Sequence, residues 1–194
     1  WSWRRRDAPA PRSVRLWKKE MIQMPAIPTL ETERLTLRAP GARDLGAFAT
    51  FYASDASRFV GGPISTEETW RYLAQVIGHW SLRGYGRWMV TAKGNDTAIG
   101  IVGLHNPHGW PEPEVGWYIW SGTGKGFASE AGRAARAYAY ATLGWRTVIS
   151  MIMPNNDNSV RVAKAMGATR EQNFTHAVHG QMMVYRHPGP EALK

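Results

Sequence analysis

Glu114-Val-Gly-Trp-Tyr-Ile-Trp120, followed at once by Ser121-Gly-Thr-Gly-Lys-Gly-Phe-Ala-Ser-Glu-Ala131, reads as a buried strand, a glycine-rich turn and the first turn of a helix. Such an arrangement builds an anion site. Gly122, Gly124 and Gly126 let the backbone take positive φ and approach a ligand closely. The helix start offers unpaired N–H groups and the positive end of its dipole, and Lys125 adds a charge. The turn is not a P-loop, because Gly126 rather than Ser or Thr follows Gly124-Lys125 and Ile119 stands at the place of the first glycine. Nor is it a dinucleotide fingerprint, since Phe127 occupies the third glycine position. Taken alone, alternate glycines also suit a purely structural turn.

About thirty residues downstream, Arg146-Thr-Val-Ile-Ser-Met-Ile-Met153 is a β-branched, apolar run of strand type. It ends in the turn Pro154-Asn-Asn-Asp-Asn-Ser159. Val160-Arg-Val-Ala-Lys-Ala-Met-Gly-Ala168 then reads as a short helix closed by Gly167, glycine being the usual left-handed cap. The order is strand, glycine turn, long helix, strand, Asn/Ser turn, short helix, glycine.

With those residues in that order, the chain resembles the GNAT superfamily of acetyl-CoA-dependent N-acetyltransferases, and within it the branch of ribosomal-protein N-terminal (Rim-type) acetyltransferases. The segments that carry the resemblance are Glu114-Val-Gly-Trp117, Gly124-Lys-Gly-Phe-Ala-Ser-Glu-Ala131, Pro154-x-Asn156-x-x-Ser159 and Lys164-x-Met-Gly-Ala168, with Leu30-Glu-Thr-Glu-Arg-Leu-Thr-Leu-Arg38 as the branch's first strand. It spans roughly residues 28–187. Two departures stand out: the turn between Gly116 and Gly124 is one residue short, and Ser121 replaces the frequent Gln or Arg, which puts a side-chain contact to pyrophosphate in doubt.

The resemblance implies acetyl-CoA as co-substrate, with its pantetheine lying between two splayed parallel strands, Glu114–Ile119 and Arg146–Met153. Amides around Trp117, Tyr118 and Ile119 would pair with the pantetheine and polarise the thioester carbonyl. Those of Gly124, Lys125, Gly126, Phe127 and Ala128, with Thr123 in the same turn, would hold the pyrophosphate. Glu114 is the candidate general base, with an exposed charge at a strand start as the plainer alternative. Ser159 is the candidate that meets the leaving thiolate, and also suits a helix cap or first-turn residue. Asn156 is a candidate cofactor contact or simply a turn residue.

At 194 residues the chain can bury a sizeable core. It shows no apolar run of membrane-spanning length and no leader pattern. Cysteine is absent, which excludes disulfides and a thiol nucleophile and makes the cytoplasm the natural expectation. Of the net charge of +9, more than half sits in residues 1–23, which hold seven Lys/Arg against two Asp/Glu. Met21 and Met24 both suit a start. Residues 1–23 therefore read as a basic tail, flexible or foreign to the native chain, before a single acetyltransferase domain over residues 24–194. Charge is accordingly a poor guide to function.

Elsewhere, Leu30–Arg38 alternates as a half-buried strand, and Asp44–Ala53 fits a first helix. Ser65-Thr-Glu-Glu68 is a capping box opening a second helix to about Leu82, with Trp70, Leu73, Val76, Ile77 and Trp80 on its apolar face. Trp88–Ala92 and Ile99–Leu104 form a hairpin around Gly94-Asn-Asp96, and Gly126–Leu143 a long alanine-rich helix. Arg170–Phe174 with Met182–Arg186 makes a last hairpin. The expected fold is α/β (α+β): a mixed, mostly antiparallel sheet of six or seven strands with about four helices, to which the resemblance adds a central V-shaped splay.

His105, His108, His176 and His179 lack metal-ligand spacing with a third partner, so no metal is expected. His176 and His179 would line the acceptor pocket from the last hairpin. Trp70, Trp80 and Trp88 are expected in the core, with Trp110, Trp117 and Trp120 walling an acceptor channel. Glu130 is accounted for by the helix dipole. The acceptor is a peptide N-terminus or a small amine. An aminoglycoside or other antibiotic is the alternative acceptor, slightly disfavoured because only Glu112 and Glu114 are acidic near the motif, with carboxylates near Asp44, Asp55 or Glu67 still open to it. No membrane or nucleic-acid partner is expected, and a homodimer stays open. The rival readings are a catalytically silent acyl-CoA sensor and a nucleic-acid module using the basic tail.

Overall fold

The computed structural model describes residues 26–193, so the basic tail expected over residues 1–23 lies outside them. Strands β1 (Leu30–Glu31) and β2 (Leu35–Arg38) precede helices α1 (Leu45–Tyr52) and α2 (Thr66–Arg83), which a 3-10 segment, Asp55–Val60, separates. Then come β3 (Arg87–Ala92), β4 (Ala98–His105), β5 (Glu114–Ile119), α3 (Phe127–Ala141), β6 (Ile149–Ile152) and α4 (Asp157–Ala165). The short β7 (Thr169–Arg170) and β8 (Phe174–His176) and the longer β9 (Gly180–Arg186) follow. The sheet runs β1-β2-β3-β4-β5-β6-β9-β7, with β8 also paired to β9. All neighbours are antiparallel except β5 and β6.

Strand alternation sorts side chains into two cores. Trp88 and Val90, Val102 and Leu104, Val115 and Trp117 face α3 and α4, meeting Ala131, Ala135, Ala139 and Ala163. Met89 and Ile101 face the other way, onto Phe48, Phe51, Tyr52, Leu73 and Val76 of α1 and α2. The small residues of α3 let it lie close on the sheet. The result is a helix–sheet–helix sandwich, with the even-numbered positions Glu114 and Tyr118 of β5 beneath α2.

The mixed sheet, its mostly antiparallel sense and the four α-helices match the sequence reading. The nine strands among the described residues exceed the expected six or seven, because two expected strands are each divided. Leu30–Arg38 is not one strand but a hairpin: Leu30 pairs with Leu37 and Glu31 with Thr36. Its turn is tied locally, the Thr32 amide donating to Leu35 O at 2.9 Å and the Leu35 amide to Thr32 Oγ1 at 3.0 Å. Alternation is blind to a fold-back of this length. The last hairpin likewise divides, because β9 pairs with β6, β7 and β8 together.

The Ser65 capping box forms as read: the Glu68 amide donates to Ser65 Oγ at 3.2 Å and the Ser65 amide to Glu68 Oε2 at 2.9 Å. The buried stripe of α2 is Thr69, Leu73, Val76 and Trp80, an i, i+4, i+7, i+11 series. Trp70 sits one residue further round, about 100° away on a 3.6-residue helix, and is 58% exposed. Its assignment to the core is thereby corrected, whereas Trp80 and Trp88 are fully enclosed. No helix among the described residues is long and apolar enough to cross a membrane.

Candidate active site

β5 and β6 run parallel but pair in register only at Glu114 and Ile149, where the Ile149 amide donates to Pro113 O at 3.1 Å. Beyond that point side chains replace the ladder. Ser150 Oγ donates to Val115 O at 2.6 Å, and the Met151 amide donates to Glu114 Oε2 at 3.1 Å. Past Met151 the strands part, and the expected splay is present. Since Ser150 spends its proton on Val115, His187 must donate to Ser150 Oγ from Nε2, 2.9 Å away. Its Nδ1 accepts from Arg136 Nη1 at 3.2 Å. Burial, reinforced by Arg136, pushes the His187 imidazole down to about 3.

Glu114 is 4% exposed. Its Oε1 lies 3.2 Å from Arg87 Nη2, and Arg87 Nη1 donates to Tyr72 Oη at 2.5 Å while its guanidinium lies 5.0 Å from the centre of the Tyr118 ring. Room for the guanidinium comes from the register, which sets Arg87 beside Gly103 and Gly103 beside Gly116. A Cβ on Gly116 would stand 3.4 Å from both Arg87 Nη2 and Glu114 Oε1. Burial pushes the Glu114 carboxyl above its ordinary range, opposed by the Arg87 charge and the Met151 amide. The nearby Trp110 indole, whose N–H meets no acceptor at hydrogen-bonding geometry, adds to that opposition. Each carboxylate oxygen keeps a lone pair for another donor.

In the turn, Gly122, Gly124 and Gly126 have φ of 75°, 85° and 81°, a region that costs any other residue about 1–2 kcal/mol. A Cβ at Gly122 would also run into Phe127 at 2.7 Å, whereas Gly124 faces open space. The amides of Phe127, Ala128 and Ser129 open α3 with no protein acceptor among the described residues. The Lys125 amide is instead closed onto Gly122 O at 3.2 Å, and its side chain is exposed.

Two cavities adjoin along the splay. One, of about 600 Å³, is lined by Trp117, Tyr118, Ile119, Thr123, Gly124, Gly126, Phe127, Ala128, Asn156 and Ser159, but not by Lys125. The other, of about 410 Å³, contains Glu114 and shares Trp117, Tyr118, Asn156, Ser159 and the segment Arg58–Val60 with the first. Asn156 caps α4 by accepting the Ser159 amide at 3.2 Å. The Ser159 hydroxyl has no protein partner among the described residues and borders both spaces.

These features agree with the comparisons. Residues 34–169 match the acetyltransferase (GNAT) domain family. The chain belongs to the GNAT acetyltransferases. A crystal structure of an acetyltransferase from Agrobacterium tumefaciens strain C58 superposes with a TM-score of 0.77 and 36% identity, over 84% of this chain and 95% of that one. An uncharacterized N-acetyltransferase, p20 of Bacillus licheniformis, is 27% identical over 153 residues, 74% of this chain and 83% of its own. The fold is shared with RimL, the ribosomal L7/L12 alpha-N-protein acetyltransferase, in complex with coenzyme A: TM-score 0.68, 19% identity, covering 83% of this chain and 98% of that one.

Within this N-acetyltransferase, several expected positions move. The Trp120 amide donates to Ile99 O at 3.0 Å. Antiparallel alternation then turns the Tyr118 amide toward β4, and those of Trp117 and Ile119 toward the gap. Tyr118 faces the smaller cavity by its ring instead. Trp110 and Trp117 line that cavity, but Trp120 stacks on Phe51 and donates to Ala98 O. His179 lines it; His176 does not, its Nδ1 accepting the Val178 and His179 amides. His105, the cross-strand neighbour of Glu114, joins the wall. Its imidazole is pushed down by burial and by Arg87. No group of three metal-ligating side chains occurs among the described residues.

Arg87 and Tyr72 were missed by sequence reasoning. A lone arginine at a strand start reads as exposed, and only the register with Gly103 and Gly116 reveals otherwise. Arg34 was missed too. Its Nη1 donates to Lys125 O at 3.0 Å, its Nε to Glu130 Oε2 at 2.7 Å, and its guanidinium lies 4.9 Å from the centre of the Phe127 ring. Glu130 also accepts Thr32 Oγ1 at 2.6 Å and the Arg34 amide at 2.9 Å. Its role thus exceeds a favourable dipole charge: it fastens the β1–β2 hairpin to the glycine turn.

Proposed function

We propose that the protein is an acetyl-CoA-dependent N-acetyltransferase that moves the acetyl group directly to a primary amine within a ternary complex. The observation that carries the reading is the junction of the two cavities at Trp117, Tyr118 and Ser159, with Glu114 in the smaller one. The larger cavity suits acetyl-CoA. The free amides of Gly126 to Ser129 at the start of α3 fit a pyrophosphate, and the gap-facing amides of Trp117 and Ile119 fit a pantetheine. Lys125 enters through its place in the turn rather than through its amide or side chain.

Acetyl-CoA supplies the thioester carbon that the amine attacks. Glu114, made more basic by burial, takes the amine proton directly or through one water. An amide on the gap side of β5 polarises the carbonyl oxygen, and the Ser159 hydroxyl donates a hydrogen bond to the thiolate as the C–S bond breaks. Holding both substrates across one junction is worth several kcal/mol. The acceptor is a peptide N-terminus or a small amine.

Calorimetric titration with acetyl-CoA tests the reading, with Gly124→Trp as the blocked control. Micromolar binding that the control loses supports it. Folded protein that binds no acetyl-CoA rejects it.

A further inference from the structure

Resting on that reading, we infer that the acceptor is a primary monoamine carried on an aromatic body, with no second cation. It is met either as a free arylalkylamine or as the aromatic first residue of a peptide. Three observations carry this.

The first is the wall. Six aromatic side chains, Tyr52, Phe59, Tyr72, Trp110, Trp117 and Tyr118, line the smaller cavity. Flat rings favour a flat apolar guest through edge and face contacts. A volume of about 410 Å³ lies at the small end of ligand pockets and suits one ring system with a short tether.

The second is charge. Among the described residues Glu114 is the one carboxylate in this lining, beside Arg87, which it pairs with, and Arg58, whose own partner Asp55 stands outside the lining. The two Glu114 oxygens each hold one donor, Arg87 and the Met151 amide, and the lone pair left on each is what the reacting amine itself uses. A polyamine or aminoglycoside would bring a second ammonium into a lining whose one carboxylate already serves Arg87 and the Met151 amide, leaving that charge without an anion of its own, a costly placement. A monoamine avoids this, because it enters neutral, as attack on a carbonyl requires.

The third is that the remaining polar groups in the wall add no anion. His105 and His179 are both held toward the neutral form by burial, and Gln75 is uncharged. Among the described residues nothing in that wall selects a second positive charge.

The test measures coenzyme A release with a thiol reagent. The chain has no cysteine, so product thiol is the whole signal. The panel is phenethylamine, tryptamine, a Phe-first and a Ser-first tripeptide, putrescine, spermidine and kanamycin, with acetyl-CoA binding measured on the same preparation. The expected result is kcat/KM at least tenfold higher for the aromatic amines, or for the Phe-first tripeptide if the source is a peptide, than for the polycations and the Ser-first tripeptide. Gln75→Glu, which adds an anion on α2 at this wall, should narrow the ratio of phenethylamine to putrescine several-fold. Faster turnover of a polycation or of the Ser-first tripeptide overturns the inference while leaving the transferase reading intact. Acetyl-CoA binding with no turnover of any aromatic amine does the same. Failure to bind acetyl-CoA rejects the transferase reading itself.

Discussion

The Glu114 carboxylate accepts the Met151 amide at 3.1 Å, across two parallel strands whose backbone ladder has already ended. One side chain therefore pins the mouth of the splay and lines the smaller cavity. Glu114→Gln keeps an acceptor for Met151 but removes the charge facing Arg87. Turnover at neutral pH should fall roughly 10²-fold or more, with acetyl-CoA affinity changed less than about twofold. Undiminished turnover removes Glu114 as the base. Because burial raises this carboxyl, the acid limb of kcat/KM should lie above the ordinary carboxylate range and vanish in the variant. The stability effect has the opposite direction. A folded-state pKa above the unfolded one stabilises at acid pH, and that share is lost as pH rises through the raised value.

Arg34 fastens the glycine turn from 91 residues away in sequence. Arg34→Ala removes charge-assisted bonds to Glu130 and the bond to Lys125 O, each worth about 1–3 kcal/mol where buried and less at this half-exposed site. Acetyl-CoA affinity should weaken about tenfold by calorimetry, with little change in thermal midpoint. Arg34→Lys should fail to restore it, since an ammonium cannot span both Glu130 and Lys125 O as a planar fork does. Full rescue by lysine would reduce the clamp to a point charge.

His187 is buried beneath the splay between Arg136 and Ser150, with its imidazole pushed from 6.5 to about 3. For a base whose folded pKa is depressed, stability is fully present above the unfolded value and is lost as pH falls toward the folded one. Glu112 and Glu130, both held below 4.5, add to acid loss only under that value. Between pH 6.5 and 4.5 the depressed histidines lower stability as pH falls, each by up to about 1.4 kcal/mol per pH unit, and Glu114, whose carboxyl is raised, offsets part of that loss. His187→Gln can keep one acceptor and one donor, so the midpoint-against-pH slope in that window should become shallower, with His105 supplying much of the rest. An unchanged slope means His187 is not the buried neutral group described.

Local pattern carried most of the fold. The capping box at Ser65 and the glycine turn before α3 each depend on neighbours within a few residues, and each formed as read, whereas the α4 cap offered for Ser159 falls on Asn156 and leaves Ser159 in the first turn. What stayed hidden depends on pairing. Arg87 became a site residue only because strand register brings it beside two glycines. The direction of the Tyr118 amide follows from which partner β4 presents, and Trp70 was misplaced by one step of helical phase. Glu130 looked self-sufficient at a helix start because its partners, Thr32 and Arg34, sit in a fold-back that alternation cannot show.

Ser159 offers the sharpest separation between binding and chemistry. Its amide already serves the Asn156 cap, so Ser159→Ala leaves α4 capped and removes only the hydroxyl that faces both cavities. If that hydroxyl meets the departing thiolate, kcat should fall about 10- to 100-fold with KM for acetyl-CoA nearly constant, the signature of an interaction made in the transition state. Asn156→Ala should behave differently, losing the cap at a cost of about 1 kcal/mol in stability and weakening acetyl-CoA through a displaced α4. Equal losses of kcat and stability in both variants would place Ser159 with the cap rather than with the chemistry. Steady-state kinetics and a thermal melt on the same two proteins distinguish these outcomes.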